Sequence, residues 1–537
     1  MTTTPVPATA VPGATPTTAS APAPSAGRRG WFALAVLMLP VLLVSVDNTV
    51  LSFALPEISR HFGTSGTMLL WIVDSYPLVL AGLLVVMGSF GDRFGRRRLL
   101  IIGAVGFALF SVAAAFAPTA GFLLASRVGL GVFGAMLGPS TLSLIRNIFA
   151  DRNQRRIAIA VWAAGFSSGA ALGPLLGGVL LENFWWGSVF LLAVPVLVLM
   201  LALTPFLVPE SKDPAPGRID YLSIVLTVAT MLPIVYGIKN LATEGSLLVS
   251  ATAAFVGLAA GTMFVARQLH RPDPMLDVRL FTVRAFSGAV LVNLLAIFSL
   301  VGFLFFVSQH LQLVLGLGPL DAGFVLLPGF MVTIVAGLAV VPVVRHLAPH
   351  VVVSASLLFS AAAYAMIALH DDGGSAGFLM LAFVILGLGV GASETISNDL
   401  ILSTVPAAKA GAASAISETA YEVGAVLGTA VLGSILLAAY QQRLVLPGGL
   451  SDAQIELSTE TLGGAVEVAT QLGPAGASFL QDSAFHAFDS GVTITTGIAA
   501  LLMISASVLA AWSLRGSDSA ASTPVAEREL STDENKR

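Results

Sequence analysis

The chain alternates long apolar runs with short polar breaks, and the runs are too long for the core of a soluble domain. Stretches of about 20 apolar residues match the thickness of a bilayer. Fourteen such spans are expected, at about 32–55, 68–90, 99–117, 121–148, 157–181, 187–208, 220–239, 246–266, 285–308, 321–343, 350–369, 377–401, 410–438 and 491–514. An all-α polytopic membrane protein follows, with both termini on one side because the count is even. Composition agrees: 56% of residues are hydrophobic and 10% charged, with a mean hydropathy of +0.89. These values lie outside the soluble range.

Positive charge orients the chain. With the N-terminus cytoplasmic, the inner flanks hold Arg28, Arg29, Arg93, Arg96, Arg97, Arg98, Arg146, Arg152, Arg155, Arg156, Lys212, Arg218, Arg267, Arg271, Arg279, Arg284, Arg345 and Lys409. Only Arg60, Lys239 and Arg443 fall on the outer side, and Arg127 alone lies within a span. This asymmetry places both ends in the cytoplasm of a multi-pass cell-membrane protein. "GRRGWF" reads as a positive flank rather than a twin-arginine signal, and no small-residue cleavage pattern precedes it.

The chain divides into a disordered tail (1–30), a six-helix bundle (31–208), two inserted helices (220–266), a second six-helix bundle (285–514) and a second tail (515–537). The outer segment 440–490, with two amphipathic stretches split at Gly473-Pro474, is expected to form a helical hairpin removable without loss of the fold. It carries Asp452, Glu456, Glu460, Glu467, Asp482 and Asp489 against Arg443. These acids keep an exposed loop soluble, or raise the local cation concentration. A shift of 255 residues superimposes Gly169, Gly173 and Gly178 on Gly424, Gly428 and Gly433, an internal repeat of the kind transporter folds carry.

Several function classes are excluded. There is no cysteine, the seven histidines are scattered without metal-ligand spacing, and G-x-x-x-x-G-K-[ST] is absent, so no metal, cofactor or ATP-driven step is expected. No soluble catalytic domain is present, so an enzyme is not expected.

The chemistry sits in the charged residues inside spans. Asp47, Asp74, Glu418 and Glu422 are intramembrane carboxylates, each costing roughly 2.5 to 3.5 kcal/mol to place there, and such residues mark transport pathways. The plain alternative is that each is a structural acid paired with Arg127 or with backbone dipoles. Glu418 and Glu422 lie four apart, one turn from each other on one helix face, where like charges favour a shared proton. At the equivalent repeat positions stand Ala163 and Ser167, so the acids are additions to a shared template. Glu394 and Asp399 are weaker candidates near the inner end of their span. Trp71, Trp162, Phe166, Phe303, Phe306 and Tyr421 are candidates for stacking on a cation, although packing accounts for most aromatics in a span.

Gly88 to Arg98 reads "GSFGDRFGRRR", a glycine-flanked turn whose Asp92 can meet a helix N-terminus or an arginine. Its Gly88, Asp92, Arg93, Gly95 and Arg96 resemble the inner-loop gating signature of the major facilitator superfamily. "GAALGPLLGG", with Gly169, Gly173, Pro174, Gly177 and Gly178, permits close helix contact and a bend. It resembles the antiporter motif of the drug:proton exporters in that superfamily, and Arg127 matches their buried arginine. Together with "VDNTVLSFALP", "WIVDSYPL" and "SETAYEVG", the chain is similar to the fourteen-helix QacA- and LfrA-type multidrug efflux proteins. The resemblance implies a major facilitator fold of two six-helix bundles plus two inserted helices. It also implies proton-driven export of small-molecule cationic drugs: quaternary ammonium compounds, dyes such as ethidium, and fluoroquinolones. A monomer in the lipid bilayer without a nucleic-acid partner is expected. The alternative is a proton-coupled symporter importing a solute on the same fold. Gly187 after "WW", where some relatives have an arginine, and the absence of an acid midway through span ten set this chain apart.

Overall fold

A computed structural model describes residues 26–212, 220–242, 246–271, 274, 276–344, 346–370, 374–405 and 410–515. The tails, Arg218, Arg345 and Lys409 lie outside them, as do the side chains of Arg152, Arg156, Ala163 and Ser167. The first half comprises α1 (Arg28–Phe62), α2 (Gly66–Phe94), α3 (Arg96–Ala115), α4 (Ala120–Gly134), α5 (Leu137–Ile148), α6 (Arg152–Asn183), α7 (Ser188–Leu191) and α8 (Ala193–Leu207). The inserted pair is α9 (Tyr221–Ala242) and α10 (Leu247–His270). The second half contains α11 (Arg284–Gln309), α12 (Pro319–Val343), α13 (Pro349–Ala368), α14 (Ala376–Ser403), α15 (Ala410–Leu427), α16 (Ser434–Arg443), α17 (Asp452–Glu460), α18 (Leu462–Thr470) and α19 (Pro474–Ser513).

Among the described residues, thirteen helices are long and apolar enough to cross a membrane. The remaining expected span, 157–181, lies within the 32-residue α6. Hydropathy does not reveal internal breaks. Span four turns between α4 and α5, and spans nine and thirteen carry π-helical segments at His310–Val314 and Gly428–Gly433.

The glycine repeat falls on equivalent packing. Gly169 and Gly173 of α6 abut α1, where a Cβ on Gly169 would meet the Leu42 carbonyl at 2.8 Å. Gly424 of α15 and Gly428 of the π-helical segment that follows it abut α11 in the same way, a Cβ on the latter lying 2.6 Å from the Phe298 carbonyl. Each half thus seats its fifth span on its first. The third repeat glycine faces the other half. A Cβ on Gly178 would stand 2.6 Å from Leu320 Cα of α12, and one on Gly433 would stand 2.7 Å from Leu70 Cδ2 of α2. Small residues let backbones approach where lipid supplies no hydrophobic drive between helices. Because Gly178 meets backbone, Gly178→Val should separate α6 from α12 and reduce transport at least tenfold. Gly121→Val, where a Cβ meets nothing within 4 Å, should leave it unchanged; initial efflux rates at matched expression check both.

Polar contacts also join the halves at the face opposite the N-terminus. The Gln312 side chain donates to the Phe53 carbonyl at 3.2 Å, Ser59 and Thr461 hydroxyls lie 3.0 Å apart, and the Gly66 N–H donates to Glu460 at 3.2 Å.

The outer segment differs from the expected hairpin. Its two short helices, α17 and α18, both precede Gly473, and the stretch after it is the first part of the 40-residue α19. Pro474 occupies the first turn, where its missing N–H costs nothing and its fixed φ favours helix, so Gly-Pro starts α19 rather than bending a loop. Nor is the segment a detachable loop: Leu462, Ala465 and Val468 are fully buried, and Tyr440 donates to the Ser458 carbonyl at 2.8 Å.

Candidate functional site

Three buried clusters occupy the interior, and sequence-predicted residues fall in each. In the first, Arg127 of α4 meets Asp47 of α1, with Nη1 and Oδ2 2.6 Å apart. Arg127 also donates through Nε to the Ile72 carbonyl at 3.2 Å, and its guanidinium lies 4.7 Å from the Tyr76 ring centroid. Arginine suits this position because its planar fork bonds a carboxylate and stacks on an aromatic at once. Asp47 is therefore a compensated acid.

The second cluster corrects the charge map. Lys239, expected on an outer flank, is 1% exposed, and its Nζ lies 2.8 Å from Asp74 Oδ2 of α2. Its ammonium also stands 4.0 Å over the Trp71 ring. Trp71 thus stacks on a cation of the protein itself. The Thr429 hydroxyl lies beside the same carboxylate.

The third cluster is Glu418 and Glu422 of α15. Glu422 is 4% exposed and its Oε2 has no hydrogen-bond partner among the described residues. The Asn48 side chain of α1 is within hydrogen-bonding reach of this carboxylate, and the charge of Asp47, the preceding residue, also acts on it. The Tyr76 hydroxyl, also buried without a partner, lies within electrostatic range of Asp47, Arg127 and Glu422 and so sits among the two clusters. Glu418 approaches the first half at Gly138, a Cβ on which would be 3.7 Å from its Oε2, and Arg146 of α5 acts on its charge. Glu394 is half-buried and Asp399 exposed, and Tyr421 adjoins Glu422 along α15.

Other candidates do not converge here. Phe303 and Phe306 are fully buried in the second half, where Phe303 stacks on Phe383 at 5.1 Å and meets Phe306 edge-on; they are packing residues. Trp162 donates to the Thr141 hydroxyl at 3.2 Å and meets Phe166 edge-on at 5.0 Å, within the first half.

The turn at residues 88–98 is held locally. Asp92 accepts from Arg96 at 2.8 Å, while Arg93 is exposed and stacks only on Phe94 of its own helix. Gly95 has φ +111°, and a Cβ there would meet the Glu210 carboxylate at 2.9 Å. Glu210 accepts from the Arg97 N–H at 3.0 Å and so caps the positive end of α3. Gly88 packs loosely, with Pro139 at 3.7 Å from its would-be Cβ. In the glycine-rich motif Gly177 packs on Val50 of α1, and the carbonyl of Pro174 faces Gly323 of α12 across the halves.

Sequence reasoning missed Lys239, Asn48, Tyr76 and Glu210. A lysine one turn from a helix end reads as an interfacial anchor, and only its exclusion from solvent marks it as a partner of Asp74.

Two bundles with repeat-equivalent packing, enclosing charged pairs and a carboxylate cluster, define a membrane transporter. Residues 37–429 match the model of the Major Facilitator Superfamily. The chain belongs to that superfamily, as a multi-pass membrane transporter rather than an enzyme. It is 55% identical to the multidrug efflux pump LfrA of Mycolicibacterium smegmatis, over 90% of this chain and 95% of that protein. It is 37% identical to the methyl viologen resistance protein SmvA of Salmonella typhimurium, covering 86% and 93%. It is 32% identical to the tetracenomycin C resistance and export protein of Streptomyces glaucescens, covering 91% and 92%. Among solved structures, a bacterial homologue of the lysosomal transporter Spinster, inward-facing and unoccupied, shares the fold with a TM-score of 0.63 at 16% identity, covering 91% and 98%.

Proposed function

We propose that this chain is a proton-coupled exporter of lipophilic organic cations, among them quaternary ammonium compounds, dyes such as ethidium, and fluoroquinolones, with both termini in the cytoplasm. The observation that carries this reading is the charge balance of the interior. Asp47 and Asp74 each hold a cation at 2.6 and 2.8 Å, whereas Glu422 is buried with one oxygen unpartnered and Glu418 one turn away. An uncompensated carboxylate in a low-dielectric interior must take up a proton or another cation. A proton and an organic cation then exclude each other from one pair of acids, which is antiport in its simplest form. Relatives named as a multidrug efflux pump and a methyl viologen resistance protein support export as the direction.

The chain's own groups divide the work. Glu422 and Glu418 exchange proton for cation. Asn48 ties Glu422 to α1, so its occupancy is felt across the halves. Arg127 holds Asp47 in place by a direct ion pair, and the Tyr76 ring lies against the same guanidinium.

Everted membrane vesicles containing the protein test the reading. On energisation ethidium should accumulate inside, and a protonophore should collapse the gradient. Accumulation indifferent to the protonophore, or energised loss of dye from the vesicles, would overturn it, the latter pointing to the symporter reading.

A further inference from the structure

The Asp74–Lys239 pair has features that an ordinary buried ion pair does not require. Lys239 stands one turn from the end of α9, where a lysine usually extends its ammonium to the nearby polar surface. Here the ammonium turns into the protein, 1% exposed, against a carboxylate that is fully buried. The surroundings are those that recognise an organic cation: a carboxylate at 2.8 Å, an indole face at 4.0 Å and the Thr429 hydroxyl beside the carboxylate. Their sources also differ. Asp74 and Trp71 belong to the first half, Thr429 to the π-helical segment of the second, and the ammonium to the inserted pair. α9 packs against α2, α16 and that segment, whereas α10 packs chiefly on α9, so the inserted pair is attached to the bundle along one face of α9. The cation therefore belongs to the inserted pair, while its site is made by the two halves.

We propose that Asp74, Trp71 and Thr429 form a second organic-cation site, separate from Glu418 and Glu422, and that the Lys239 ammonium is its resident, tethered occupant, exchangeable with a lipophilic monocation. From the proposed function it borrows only the class of ligand; neither proton coupling nor direction of transport enters. A tethered occupant makes the site silent while α9 is seated and open when α9 withdraws, so the inserted helices set the number of cations the protein holds.

The test is the stoichiometry of tetraphenylphosphonium binding to purified protein in nanodiscs, by equilibrium dialysis. Lys239→Met removes the occupant and keeps the bulk; it should bind one more equivalent than the parent. Lys239→Met combined with Asp74→Asn should return to the parent value, since the carboxylate is gone. An unchanged stoichiometry in monodisperse Lys239→Met, or an extra equivalent that survives Asp74→Asn, overturns the proposal. If Lys239→Met does not yield folded protein, Lys239→Ala is purified with and without n-butylammonium. Recovery of monodisperse protein only with the ammonium supports an exchangeable site, and no recovery in either case contradicts it. Because the parent's binding is measured in the same series, failure of the Lys239 variants leaves the exporter reading standing. Absence of tetraphenylphosphonium binding by the parent would instead count against that reading.

Discussion

Arg127→Met is expected to abolish efflux and to lower thermal stability together. The guanidinium is almost fully buried, holds Asp47 at 2.6 Å, donates to the Ile72 carbonyl and lies over Tyr76, so one substitution leaves a carboxylate, a carbonyl and a ring without their partner. Removing one member of a buried pair costs about 3 to 5 kcal/mol, because the remaining charge is uncompensated. Asp47→Asn should cost a similar amount by leaving Arg127 unpaired. The double variant Asp47→Asn/Arg127→Met should recover most of the stability, since both charges are gone, yet remain inactive. Thermal unfolding in detergent and dye efflux in cells separate the two effects. A double variant that regains both would reduce the pair to a structural staple.

Glu422→Gln is expected to remain folded and to lose at least a hundredfold in efflux rate. The amide matches the carboxyl in shape and can still meet Asn48, and Glu422 Oε2 has no hydrogen-bond partner to lose. What disappears is the ability to be either charged or protonated. Glu418→Gln should weaken transport less, because Glu418 is only half-buried and the charge of Arg146 acts on it, leaving Glu422 to carry the exchange alone.

The spans and their repeat were legible because both follow from one-dimensional patterns: apolar length for the helices, glycine spacing for the contacts of α6 and α15. Four buried acids were legible for the same reason, as charges stand out in apolar runs. Their pairings were not. Whether Asp74 meets Lys239, Arg127 or neither depends on where the inserted helices dock, and no periodicity in α9 records that. Hydropathy likewise gives the interior break between α4 and α5 no signature, and sequence alone does not separate a cation-stacking aromatic from a packing one such as Phe303, which meets Phe383 and Tyr364 in a core. The start of α19 at Pro474 was misread because Gly-Pro both ends loops and begins helices; α18, packed on α1, and the buried Leu480 favour the second.

The central claim is that a cation and a proton compete for Glu418 and Glu422. It is tested most directly by adding a saturating lipophilic cation to purified protein in weakly buffered detergent, at several pH values, and recording proton release. The account predicts release of about one proton per cation in the parent, consistent with displacement from a buried acid, and none in Glu422→Gln at any pH where the parent releases. Cation binding by the parent without proton release across the whole range, or equal release from Glu422→Gln, would contradict it.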